Sequence, residues 1–241
     1  MRFVSFRKDN IESIGVFDPF SETITDFSRI AGDLPTTMID LIKMGQRGLR
    51  LVEEIRETAD DSSKIRLTDV NLRAPIPEPR RNVMAVGRNY HDHAEEFHNS
   101  GFDATSGTNP IPDHPIIFTK ATTSVSGPFD PIPSYLDYSM STDYEGELAV
   151  IIGKEGRNIT KTDALDYVYG YTVSNDLTAR TLQHQHKQWF IGKSLDGYCP
   201  MGPVLLTSDE SGHPDSFYLQ TRVNGEIRQK ASCSALIFDI P

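Results

Sequence analysis

Short apolar runs broken by turn residues dominate the first part of the chain. Residues 3–7, 13–17 and 24–27 predict strands, with Asp9-Asn10 and Asp18-Pro19 as the turns between them. The period then changes. After Thr36 and Thr37, either a suitable cap, Met38, Leu41 and Ile42 recur at helical spacing. A second helical phase carries Leu49, Val52 and Ile55, and the stretch from Gly45 to Gly48 is placed to break or kink the two. Nothing in this unit carries chemistry, so packing or an oligomer surface is its expected role. Pro75, Pro77 and Pro79 follow as a stiff connector. Beyond them, strands are predicted over 82–87, 116–119, 147–152, 169–176, 204–207 and 218–223, with helices over 90–97 and 178–188. Asn224-Gly225 between two apolar-polar runs predicts a two-residue hairpin. The pattern defines an α+β, strand-rich fold, divided into a small N-terminal α+β domain (1–74) and a second domain (75–241). Residues 98–115, rich in Gly, Ser, Asn, Asp and Pro, are long for an ordinary connection and are expected to act as a lid or binding loop.

Candidate chemistry concentrates at three places. In Asp143-Tyr144-Glu145-Gly146-Glu147, the period of a strand puts Asp143, Glu145 and Glu147 on one face. Like charges so placed repel unless a cation sits among them, and carboxylate oxygens suit a hard divalent ion such as Mg²⁺. A solvated strand end is the plainer alternative. Asp176, closing a predicted strand, offers a third such carboxylate, although before Leu177-Thr178 it serves equally as a helix cap. His93 and Glu96 share a face of one helical turn, where a carboxylate orients an imidazole as a water-activating base. An incidental surface pair explains the same spacing, and His91-x-His93 also admits a zinc reading. Lys193, beside Gly192 and a Gly- and Pro-rich turn, is placed to meet an anionic substrate, or else is a solvated loop lysine.

Composition narrows the classes. A net charge of −10 over 241 residues, without a dense basic run, argues against nucleic acid. No stretch approaches the ~20 apolar residues of a membrane span. The opening residues are too short and too broken by charge for a signal peptide. Two cysteines without metal-ligand spacing are expected to stay reduced, so a cytoplasmic location is expected. The absence of Gly-x-Gly-x-x-Gly, Walker and Gly-x-Ser-x-Gly patterns argues against a nucleotide cofactor or a serine-hydrolase mechanism.

Six ordered phrases together resemble the fumarylacetoacetate hydrolase superfamily, in its shorter bacterial form with a small N-terminal domain. They are Ala85-Val86-Gly87-Arg88-Asn89-Tyr90 with His93, and Pro115-Ile116-Ile117-Phe118-Thr119-Lys120. Next come Asp143-Tyr144-Glu145-x-Glu147-Leu148, and Gly170-Tyr171-Thr172-Val173-Ser174-Asn175-Asp176 with Arg180 and Gln183. Gln188-Trp189-x-x-Gly192-Lys193-Ser194-x-Asp196 and Val223-Asn224-Gly225-Glu226 complete the set. The resemblance implies a mixed β-roll and a homodimer, with Mg²⁺ as cofactor and Mn²⁺ or Ca²⁺ as alternatives. It implies Glu145, Glu147 and Asp176 as metal ligands, His93 with Glu96 as the base, and Lys193 on the substrate side. Arg88, Gln183 and Arg180 fall at substrate-site positions, Arg180 with a structural role as the alternative. The implied substrate is a small anionic 2-oxo acid of aromatic catabolism. Hydrolysis of a C–C bond in an acylpyruvate such as fumarylpyruvate is the leading reaction. Isomerisation or decarboxylation of a related dicarboxylate, oxaloacetate included, is the runner-up, and a metal-binding but inactive paralogue or structural dimer is the reading of another class. The family pattern continues beyond Pro241 into a Gly-Thr-Pro loop whose threonine meets substrate.

Overall fold

The computed structural model describes residues 1–90 and 111–241. β1 (Arg2–Lys8) and β2 (Ile11–Asp18) form a hairpin across Asp9 and Asn10, both at positive φ (49° and 65°), as a type I′ turn requires. β3 (Thr23–Asp26) pairs with β2, and β4 (Lys64–Arg66) pairs with β3. Between them lie α1 (Met38–Met44) and α2 (Gln46–Thr58). Thr37 caps α1 by accepting from the Asp40 amide at 3.2 Å, and Gly45, at φ 53°, separates the helices as its position in the sequence predicts. β5 (Asn71–Leu72) returns to β1.

The second half supplies β6 (Val83–Gly87), β7 (Ile116–Lys120), β8 (Val125–Ser126), β9 (Thr142–Asp143), β10 (Gly146–Ile152) and β11 (Val168–Asn175). Then follow β12 (Thr178–Ala179), α3 (Arg180–Gln185), α4 (Phe190–Lys193), β13 (Cys199–Pro200) and β14 (Leu205–Thr207). β15 (Tyr218–Val223) and β16 (Glu226–Ser232) make the expected hairpin, with Asn224 and Gly225 at φ 52° and 85°.

One sheet crosses the boundary expected at residue 74. Its order is β10-β11-β14-β1-β2-β3-β4, with β5 also on β1. The seam is Arg2 and Phe3 of β1 against Leu206 and Leu205 of β14. Both faces of β1 are buried. Phe3 joins Ile14, Val16, Leu41, Val52, Tyr169 and Leu205 beneath the helices, whereas Val4 and Phe6 pack with Ile24 and Ile65 on the other side. Strand β11 lies next to β14 so closely that a Cβ at Gly170 would meet the Leu206 carbonyl oxygen at 2.2 Å. That strand, paired with β10 on its other edge, carries the chain to Asp176.

Candidate functional site

The acidic phrase is not one continuous strand. It splits into β9, which ends at Asp143 and pairs with β12, and β10, which starts at Gly146. Period-two alternation across the whole phrase is therefore lost, and each acid is positioned by a different partner. The Glu145 amide donates to Asn175 Oδ1 at 3.0 Å, and its carbonyl accepts from the Asp176 amide at 2.7 Å. These two bonds tie Glu145 to the end of β11 and bring its carboxylate beside that of Asp176. Both residues are buried.

Lys193 joins them. Its position in α4 is fixed by glycine: a Cβ at Gly192 would lie 2.5 Å from the Gln183 amide of α3, so the two short helices touch backbone to backbone. The Lys193 side chain is 2% exposed, and its Nζ donates to Glu145 Oε2 at 2.7 Å and to Asp176 Oδ2 at 2.8 Å. A solvated loop lysine is thereby ruled out. Beneath it lies the Phe118 ring, 5.0 Å from Nζ, itself packed edge-on to Trp189. Burial opposes the Lys193 charge, but Glu145 and Asp176 outweigh it and hold the ammonium above the usual lysine range.

Arg180 faces the acids. Its Nε and Nη2 donate to Asp143 Oδ2 at 2.9 and 2.7 Å, and Nη1 lies 2.6 Å from Glu145 Oε1. Gln183, buried, accepts from Arg180 Nη1 at 3.3 Å. The guanidinium is thus engaged in placing Asp143 and Glu145. Arg88 is buried at φ 56°, a left-handed conformation uncommon for a residue with a side chain. Next to it, Asn89 clamps the end of the chain: its side chain donates to the Phe238 carbonyl at 2.9 Å and accepts from the Phe238 amide at 2.8 Å. His93, Glu96 and most of the expected lid lie outside the described residues, as do residues 90–97 of the expected helix apart from Tyr90, which bridges to Leu236.

Glu147 completes the charge pattern. Burial first, then the neighbouring Glu145 and Asp176 charges, push its carboxyl up to about 8, with Lys193 offsetting only part. The three acids therefore influence one another, and Glu147 makes no ion pair among the described residues. Glu145 and Asp176 turn their oxygens to Lys193, Arg180 and Lys120, and among the described residues no three acids close around a common point. The donor chemistry nonetheless fits a hard divalent cation: the set is all oxygen, and an ion would offset both the burial and the neighbouring charges that raise Glu147. Lys120, which the sequence marks only as the last residue of a matching phrase and without a role, is a further contributor, buried with Nζ 2.6 Å from Asp176 Oδ1. Its only local signal is a charged residue at the inward end of an apolar strand. A cavity of about 400 Å³ lies elsewhere, lined by Val4, Arg7, Phe17 and Arg73 among others, and touches none of these acids. Among the described residues no helix is long and apolar enough to cross a membrane.

The strand-rich α+β fold is one shared by a known family. Residues 82–241 match the family pattern described as Fumarylacetoacetate (FAA) hydrolase C-terminal, and the chain belongs to that family. It is 45% identical over 214 residues to the oxaloacetate tautomerase YisK of Bacillus subtilis, spanning 86% of this chain and 68% of that protein. Among solved structures it is similar to the fumarylacetoacetate hydrolase of Exiguobacterium antarcticum, with 38% identity and a TM-score of 0.75 over 99% of this chain and 78% of that one. The maleylpyruvate hydrolase of Sphingobium sp. SYK-6, solved with manganese(II) and pyruvate, also has a TM-score of 0.75, at 28% identity over 100% of this chain and 80% of that one.

Proposed function

We propose that the protein is a divalent-metal-dependent enzyme that forms or protonates the enol of a small 2-oxo acid, with oxaloacetate the first substrate to test. The observation that carries this reading is the buried Lys193 ammonium bridging Glu145 and Asp176 beside the crowded Glu147. Glu145, Glu147 and Asp176 are the residues that would hold the cation, which when bound supplies Lewis-acid polarisation of the 2-oxo group.

The remaining chemistry belongs to the chain. An ammonium has three donors, and Lys193 directs two of them at carboxylates. Among the described residues no hydrogen bond takes up the third, and this reading assigns it to an oxygen on which negative charge grows as the enol forms, a contact strengthened by exclusion of water. Arg180 keeps Glu145 from swinging into that position. His93, oriented by Glu96, is the residue this reading assigns to move the proton. The similarity to the Bacillus tautomerase favours simple enol–keto exchange. Hydrolysis of an acylpyruvate is the second reading, favoured by the similarity to the Sphingobium hydrolase, and it needs the same enol plus a water activated by His93.

Decay of enol-oxaloacetate absorbance, followed with Mg²⁺, with Mn²⁺ and with chelator, tests the first reading. Product analysis on a panel of acylpyruvates tests the second. Metal-dependent acceleration of enol decay without C–C cleavage is expected, and a His93→Ala variant should lose about 10²–10⁴-fold in rate. Failure to turn over any 2-oxo acid with either metal would discard the enzyme reading.

A further inference from the structure

Asp176 is gripped by two lysines, one on each oxygen. Lys193 holds Oδ2 at 2.8 Å, while Lys120 holds Oδ1 at 2.6 Å and also donates to the Leu177 carbonyl at 3.0 Å. Lys120 is 1% exposed at the end of β7. Strand alternation puts it on the same face as Phe118, whose ring lies under Lys193. One face of β7 thus supports both cations.

Burying an ammonium this deeply carries a desolvation cost, so a hydrophobic residue would be the less expensive occupant. Lys193 already pairs with Asp176, although it is shared with Glu145. What Lys120 adds is geometric. With only one oxygen held, a carboxylate can rotate about its terminal bond. With Oδ1 and Oδ2 held by different ammonium groups and Lys120 anchored in turn to a backbone carbonyl, that rotation is restrained. The lone pairs left over on the two oxygens are then held in fixed directions.

We propose that Lys120 is a positioning residue that fixes the Asp176 carboxylate and so sets the divalent-cation affinity of the Glu145, Glu147 and Asp176 group. This rests on the metal-dependent reading above. Partners that orient a ligating carboxylate are typically worth about 10–100-fold in metal affinity or activity. The sign of the effect separates positioning from charge. Removing a positive charge beside a cation site would, by electrostatics alone, tighten binding; losing the orientation weakens it.

Calorimetric titration of Mg²⁺ into the metal-stripped protein and its Lys120→Met variant reads this directly. Binding about 10–100-fold weaker in the variant is expected, with partial recovery in Lys120→Gln, which keeps a donor without the charge. Lys120→Gln also serves as the measured variant if Lys120→Met does not fold. Equal or tighter binding by the folded variant overturns the positioning role while leaving the metal reading intact. A wild-type protein that binds neither Mg²⁺ nor Mn²⁺ overturns both.

Discussion

At the scale of single residues, four acids face three cations: Asp143, Glu145 and Asp176 are paired with Arg180, Lys193 and Lys120, and Glu147 is the acid left over. Its carboxyl, pushed up to about 8, marks a position where ionisation works against the fold in the absence of a cation. Glu147→Gln keeps the shape and removes the charge. In chelator at pH 8.5 to 9, above that value, the variant should melt higher than wild type by a few degrees, given roughly 2–4 °C per kcal/mol for a chain of this size. With saturating Mg²⁺ the order should reverse, because wild type gains stability by binding and the variant does not. Melting curves with and without Mg²⁺ check both parts, and an equal Mg²⁺ shift in the two proteins would remove Glu147 from the ligand set. Glu145 and Glu147 stood out in the sequence as acids ahead of an apolar run and Lys193 as a lysine beside a glycine, whereas Asp176, at the end of a strand, read equally well as a helix cap. Lys120 did not stand out, since its partner lies 56 positions away and no local pattern announces a contact of that range.

Among the elements, long runs with one clear period were read well. The helices after Thr37 and the hairpin at Asn224-Gly225 formed where periodicity and turn chemistry placed them. Short elements at the site were not. Residues 178–188 divide into β12 and α3 because Thr178 and Ala179 pair with Asp143 and Thr142, a tertiary contact that overrides helical propensity. Lys193 sits on a single helical turn, too short to stand alone, and takes its rigidity from backbone contact with α3. Gly192→Ala should therefore push α4 away from α3 and carry Lys193 off the acids. Loss of about 10²-fold in turnover is expected, on the scale of a 1 Å misplacement in a site, with the far-ultraviolet spectrum unchanged. Full activity in a folded Gly192→Ala protein would show that Lys193 does not need this placement.

For the molecule as a whole, the continuous sheet decides how it comes apart. Residues 1–74 and the site share β1, β14 and the cluster around Phe3, Tyr169 and Leu205, so unfolding one removes a wall of the other. A single calorimetric transition is expected. Phe3→Ala, in a core cluster that contains none of the acids, should cost about 3–5 kcal/mol and lower that one transition rather than split it. Two resolved transitions, with only the lower one moved by the substitution, would show that the halves are energetically separate.

The seam between β1 and β14 also has a consequence for the chain during its synthesis. On one edge β1 finds β2 within a few residues, as soon as the hairpin leaves the ribosome. On its other edge Arg2 and Phe3 must wait for Leu205 and Leu206. Until then Phe3 lacks part of its cover, and an open strand edge is a template for pairing with neighbouring nascent chains. Loop closure over so long a separation is slow, which makes the β1 edge the place where a folding helper or a crowded polysome would most change the yield.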